Sequence, residues 1–315
     1  MIEAYDEIPT RKGYGDGLVK LGENNPDVIV LGADLTKSTY THLFRERFPE
    51  RFFQIGIAEQ DMLGTAAGFA LTGKIPYVST YSVFVTGRAF DQIRTTVCYS
   101  NLNVKTGGAH GGISVGPDGA THQALEDIGL MRILPSMKVM VPADYNEAVK
   151  ATVASAEIEG PVFIRFGREN VPAFTGEDDD FDFGKAKVLR EGGDVVIFAT
   201  GIMVYHALQA AEKLKEKSVE ATVVNIHTIK PMDEKTLLET AKITGCAVTC
   251  EESQLMGGFG SAVCEVLSRN YPIPVEMVGI CDTFGESGQP DQLIEEYGLS
   301  PDSIVKAALK AVKRK

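Results

Sequence analysis

At 315 residues the chain is longer than one hydrophobic core usually supports, so two compact units are expected. Its formal charge of -12 argues against nucleic acid as a partner, because phosphates call for a clustered basic surface and only the terminal "KAVKRK", the solvated end of an amphipathic helix, is locally basic. Five cysteines without framework spacing, no apolar h-region in "MIEAYDEIPTRK" and no apolar run approaching membrane length point to a reduced cytoplasmic protein, neither exported nor membrane-inserted.

In chain order, a helix-period segment at 13–25, "GYGDGLVKLGENN", precedes the run "VIVLGAD" at 28–34. Further short β-branched runs follow: "FFQIG" (52–56), "PYVST" (76–80), "NVKTGG" (103–108), "KVMVPAD" (138–144) and "VFIRFG" (162–167). Apolar strands separated by helices imply a parallel sheet covered on both faces. Composition changes at "FTGEDDDFDFGK", 174–185, an acidic stretch that reads as a connector unable to pack. The rhythm then restarts with "VVIFATG", "ATVVNI", "CAVTCEE" and "IPVEMVGI", with a helical segment at 204–217. The "CAVTC" run reads as a buried strand, not as a metal site. The expected fold is α/β with two doubly wound domains, at 1–175 and 186–315, joined by an acidic linker at 176–185. Open sheets of this kind bind ligands at the carboxyl ends of their strands.

Several polar residues fall there. Glu59, in "IAEQDM", lies at a strand-to-helix turn among small and apolar residues. A carboxylate there gains from the helix dipole; alternatively, apolar surroundings raise its pKa so that it holds a proton and hydrogen-bonds a ring nitrogen. Tyr81 and Phe84 are three residues apart, on one face if the segment is a helical turn, so they either pack in the core or hold a flat heteroaromatic. Six glycines within residues 106–119, with His110, Asp118 and the nearby His122, describe a site loop; their spacing matches no metal motif. Arg11, Ser38 and Arg168 also fall near strand ends. If they converge, the arginines form an anion clamp.

Together, "GIAEQDM", "YSVF", "GPDGATHQ" and "GREN" resemble the C-terminal half of a transketolase over nearly the whole chain: a pyrimidine-binding domain at 1–175 and a transketolase C-terminal domain at 186–315. The resemblance implies that Glu59 protonates N1′ of the aminopyrimidine of thiamine diphosphate. It places Tyr81 and Phe84 in the pocket around the pyrimidine, although Gly87 stands where the family has a third aromatic. Asp34 and Leu35 fall at cofactor-contacting positions. His122 and Asp118 correspond to residues that bind the donor's hydroxyls, with His122 also moving protons. Arg11, Ser38, His110 and Arg168 correspond to the set that grips the sugar's terminal phosphate.

The family's diphosphate and Mg²⁺ motif, a GDG followed 25 to 30 residues later by Asn, has no counterpart. In "GYGDGLVKLGENN", Asn24 comes eight residues after Asp16 within a helical segment, so no metal site is assigned to this chain. The implied protein is one half of a split transketolase. It transfers a two-carbon ketol group between sugar phosphates with thiamine diphosphate and Mg²⁺, the metal being held mainly by an N-terminal subunit. A homodimer core with two copies of that subunit, a heterotetramer, is expected, and the second domain is assigned dimer contacts. Two relatives share the cofactor: 1-deoxy-xylulose-5-phosphate synthase, which resembles an Arg where His110 stands, and the pyruvate dehydrogenase beta subunit, which lacks "DGATHQ". A non-catalytic partner subunit is the third alternative, but it has no need of a buried acid.

Overall fold

The apolar runs of the first half line up in one sheet of the computed structural model, which describes residues 5–315. Its strands in chain order are β1 (Glu7–Pro9), β2 (Val28–Gly32), β3 (Phe52–Gln54), β4 (Ile75–Tyr81), β5 (Lys105–Ala109), β6 (Lys138–Met140), β7 (Val162–Arg165) and β8 (Asn170–Pro172). Six of them run parallel in the order β6-β7-β5-β4-β2-β3. β1 and β8 pair antiparallel in a small ladder of their own. Every residue of β2, β5 and β7 is buried, as a sheet covered on both faces requires. The chain leaves β2 for β3 on one side and returns to β4 on the other. The carboxyl ends of β2 and β4 therefore form the switch point at which such sheets open a crevice.

Helices α1 (Thr10–Asn24), α2 (His42–Arg47), α3 (Glu59–Leu71), α4 (Asp127–Arg132) and α5 (Tyr145–Ser155) cover this sheet. The glycines of "GYGDG" lie inside α1 and serve packing. A Cβ on Gly13 would stand 2.5 Å from the Tyr145 carbonyl oxygen, and one on Gly17 2.7 Å from Cβ of Thr152, both on α5. Only glycine admits so close a helix crossing. Asp16 is occupied as well, accepting 2.7 Å hydrogen bonds from Lys12 Nζ and Tyr145 Oη.

The second half builds β9 (Lys187–Arg190), β10 (Val195–Ala199), β11 (Ala221–Asn225), β12 (Thr228–Lys230), β13 (Ala247–Gln254) and β14 (Val275–Ile280), with α6 (Met203–Lys215), α7 (Glu234–Thr244), α8 (Phe259–Asn270), α9 (Pro290–Glu296) and α10 (Pro301–Lys313). Five strands form a sheet in the order β14-β13-β10-β11-β9, parallel except for β9. The fold is therefore α/β with two mostly parallel sheets. Cys246 and Cys250 are buried around β13, and all five cysteines are free thiols. Among the described residues no helix is long and apolar enough to cross a membrane.

Two features depart from the sequence reading. β12, although it follows β11, pairs antiparallel with β6 and extends the first sheet, so the two halves interlock. The acidic stretch also packs. Thr175 donates its backbone N–H and hydroxyl to Asp144 (2.6 and 2.7 Å), Asp179 pairs with Lys187 at 2.6 Å, and the Phe181 ring lies 4.4 Å from that of His227. Lys187 of β9 neutralises Asp179, and Glu177, Asp178 and Asp180 stay exposed.

Candidate active site

The carboxyl ends of β2, β4, β5 and β7 lie side by side; Asp34, Phe84, His110 and Arg168 follow them, while Glu59 comes after β3 and Arg11 lies in α1. Glu59 opens α3 and is 1% exposed. Its Oε2 accepts a 2.8 Å hydrogen bond from Nη1 of Arg88, which closes the wide π-type turn Phe84–Arg88. The same guanidinium lies 4.6 Å from the centroid of the Phe84 ring. A planar N–H donor thus sits on Phe84 and points at Glu59. The expected acid in purely apolar surroundings is instead an ion pair whose arginine is half-exposed. Arg88 went unnoticed in the sequence, although its spacing of four residues from Phe84 was available as a signal.

Tyr81 and Phe84 do not stand either side of an open slot. Tyr81 is the last residue of β4 while Phe84 begins the next turn, and their rings stack on each other at 5.8 Å and 20°. The His110 ring lies 3.9 Å from that of Tyr81 at 24°. His122 meets Tyr81 and Phe84 edge-on at 6.0 and 5.4 Å, and its Nδ1 shares a 3.0 Å hydrogen bond with Thr121 Oγ1. Phe84, half-buried, is the more open aromatic face.

His110 directly follows β5 in a left-handed conformation (φ 59°) and is 1% exposed. Burial first, then the charges of Arg11 and Arg168 and the neighbouring His122, push its pKa down to about 3, so the imidazole is neutral at pH 7. Its Nδ1 and the Nε of Arg11 are buried without a partner. Arg11 donates to the carbonyl of Ser38 at 3.2 Å and stacks over Tyr40 at 5.3 Å. Arg168 donates to the carbonyl of Val115 at 2.6 Å and lies 3.8 Å from Asp118. Two guanidiniums and a neutral imidazole with spare donors therefore converge, with Asp118 at the rim. Asp34 and Leu35 lie at the adjacent end of β2. Asp34 (φ 60°) is held by Gln54, to whose Oε1 its backbone N–H donates at 3.1 Å, and Leu35 packs half-buried beneath. Among the described residues no group of His, Cys, Asp and Glu could hold a metal ion, and His110, Asp118 and His122 do not make one.

Residues 6–173 match the transketolase pyrimidine-binding domain and residues 184–304 the transketolase C-terminal domain. The chain belongs to the transketolase family. It is 43% identical to a putative transketolase C-terminal section of Methanocaldococcus jannaschii, covering 96% of each chain. It is 41% identical to a 6-deoxy-6-sulfo-D-fructose transketolase subunit of Clostridium sp. strain MSTE9, covering 97% of this chain and 95% of that one. A solved structure described as a split gene transketolase, inactive beta4 tetramer, superposes with a TM-score of 0.92 at 51% identity over 98% of this chain and 99% of that one. By this measure the chain is a transketolase-family half, consisting of the pyrimidine-binding and C-terminal domains.

Proposed function

We propose that this transketolase-family half is the C-terminal subunit of a split transketolase. It moves a two-carbon ketol group from a ketose phosphate to an aldose phosphate when joined to an N-terminal subunit that holds the cofactor's diphosphate and Mg²⁺. The observation that carries this reading is the cradle of Glu59, Phe84 and the guanidinium of Arg88. A flat cation with N–H donors, stacked on Phe84 and bonded to a buried carboxylate, stands in for an aminopyrimidine. The residues therefore fit thiamine diphosphate, with Glu59 facing the ring nitrogen, Phe84 its face, and Asp34 and Leu35 the neighbouring wall. Thiamine diphosphate, when bound, supplies the thiazolium that stabilises the carbanion formed on cleaving C2 from C3 of the ketose.

The chain's own residues bind and orient the sugar. His122, edge-on to the aromatic pair, is placed to exchange protons with donor hydroxyls, and Asp118 accepts from them at the rim. Arg11, Arg168 and the unpartnered nitrogens of Arg11 and His110 offer donors to a terminal phosphate, with Ser38 alongside. Relatives differ in their named sugars, the Clostridium subunit belonging to a transketolase of a sulfosugar, so an anionic terminus is the shared demand on this clamp. Two such chains and two N-terminal subunits make the expected heterotetramer. The reading is tested by reconstituting the chain with an N-terminal subunit, thiamine diphosphate and Mg²⁺. Glu59→Gln is expected to abolish transfer while leaving circular dichroism unchanged. Retention of a tenth or more of wild-type turnover would remove Glu59 from the mechanism.

A further inference from the structure

The glycine-rich loop that carries Asp118 and His122 belongs to the first unit, yet the second unit shapes it. Glu252 on β13 is 3% exposed, and its Oε2 accepts from the Ser114 hydroxyl at 2.6 Å and from the Ser114 backbone N–H at 3.2 Å. Ser114 lies in the first of two short 3₁₀ turns within Ile113–Asp118, which kink at Gly116 (φ 81°, ψ -121°), so its tether anchors the start of the segment that leads to Asp118. Gly112 (φ 90°) lets the backbone pass the carboxylate, since a Cβ there would stand 2.2 Å from Cδ of Glu252. Two more ties bind the loop's far end to the second unit. Gln123 Nε2 donates to the Glu286 carbonyl at 3.0 Å, and the Gln254 N–H donates to the Leu125 carbonyl at 2.8 Å.

Glu252 also reaches the aromatic cluster. Its Oε1 is 3.4 Å from Nη1 of Arg165, whose Nε donates to Asp127 Oδ2 at 2.8 Å, and that oxygen accepts from Ser82 Oγ at 2.7 Å. Ser82 follows Tyr81. All these groups are buried, two carboxylates sharing one guanidinium. A single network thus spans from the second unit to the floor beneath Tyr81 and to the turn before Asp118.

We propose that Glu252 is a positioning residue for the transfer reaction: from the C-terminal domain it holds the loop that presents Asp118 and His122 to the sugar. This assigns the second domain a part in substrate binding beyond dimer contacts, and it rests on the function proposed above. Ser114→Ala removes the shorter, hydroxyl half of the tether, keeps the 3.2 Å backbone N–H bond and leaves the Glu252–Arg165 pair intact. Glu252→Gln keeps the shape and an acceptor for the hydroxyl but removes the charge.

The experiment combines hydrogen exchange with kinetics on the complete complex with its N-terminal subunit. Ser114→Ala is expected to speed amide exchange in residues 112–122 by about 10-fold, with β5 and β13 unchanged, because a hydrogen bond to a buried charge is lost. KM for the ketose phosphate is expected to rise by about 10-fold, with kcat within about two-fold and thiamine diphosphate affinity unaltered. Glu252→Gln is expected to shift both readouts in the same direction by less. Unchanged loop exchange in Ser114→Ala overturns the proposal, as does a loosened loop with an unmoved KM. An inactive wild-type complex would instead defeat the assigned function. The exchange measurement, which needs no turnover, would then still decide whether Glu252 orders the loop.

Discussion

Removing Arg88 separates its two roles, which have opposite signs. In Arg88→Ala, Glu59, 1% exposed in the wild type, loses the 2.8 Å hydrogen bond and the positive charge opposite it. Breaking a fully buried pair from one side costs about 3–5 kcal/mol. The Arg88 side chain is 48% exposed, so water screens much of the interaction and about 1–2 kcal/mol is the expected loss. With about 2–4 °C per kcal/mol for units of this size, the cofactor-free variant should melt roughly 2–8 °C below wild type by circular dichroism.

Thiamine diphosphate should respond the other way. The guanidinium sits on Phe84 and against Glu59, where an aminopyrimidine must go, so wild type has to expel it first. The variant has nothing to expel, and its affinity in the reconstituted complex should rise by about 10-fold, the same free energy expressed as binding. Arg88→Lys keeps the charge but not the plane, so it should recover most of the melting temperature. Weaker cofactor binding in Arg88→Ala would show that Arg88 is a ligand of the cofactor and refute the placeholder reasoning; an unchanged melting temperature would show that the ion pair does not support Glu59.

Arg168→Ala should raise KM for phosphorylated sugars by roughly 10-fold or more while barely affecting an unphosphorylated analogue, as loss of a charged hydrogen bond predicts; equal effects on both would defeat the clamp. Gly112→Ala should destabilise the chain by about 3 kcal/mol or more in urea titrations, since it combines a left-handed φ with a clash on Glu252. His110 is neutral in the fold down to about pH 3, whereas in the unfolded chain it takes a proton near pH 6.5. The unfolded state therefore binds more protons between those values, and stability falls on acidification. His110→Gln should lose about 2 kcal/mol less than wild type between pH 6.5 and 5; parallel curves would mean that His110 is solvated.

Much of this was legible in the sequence because parallel strands buried on both faces leave unbroken apolar runs, and each run read as a strand is one. The acid at the start of α3 was legible for a related reason, being a charge where the pattern calls for a hydrophobe. What escaped depends on contacts with no local trace. Nothing in "HTIKP" marks it for the sheet of the other half, because antiparallel pairing of β12 with β6 is decided some 90 residues away in sequence. Tyr81 and Phe84 stack on each other although the first ends β4 and the second opens the turn Phe84–Arg88, a strand-to-turn junction that their spacing alone does not reveal.

The Glu252 network shows the same limit more sharply. In sequence, "CEES" is a strand end with two acids, and either glutamate could have been a surface charge. Their partners decide otherwise. Glu251 receives the backbone N–H groups of Phe259 and Gly260 at the start of α8 and the Ser253 hydroxyl, so it satisfies a helix end within its own domain. Glu252, one residue on, points across to Ser114 and Arg165 of the first unit. Adjacent residues of a strand face opposite sides, so one β-strand divides its two acids between holding its own domain together and holding the loop of its neighbour.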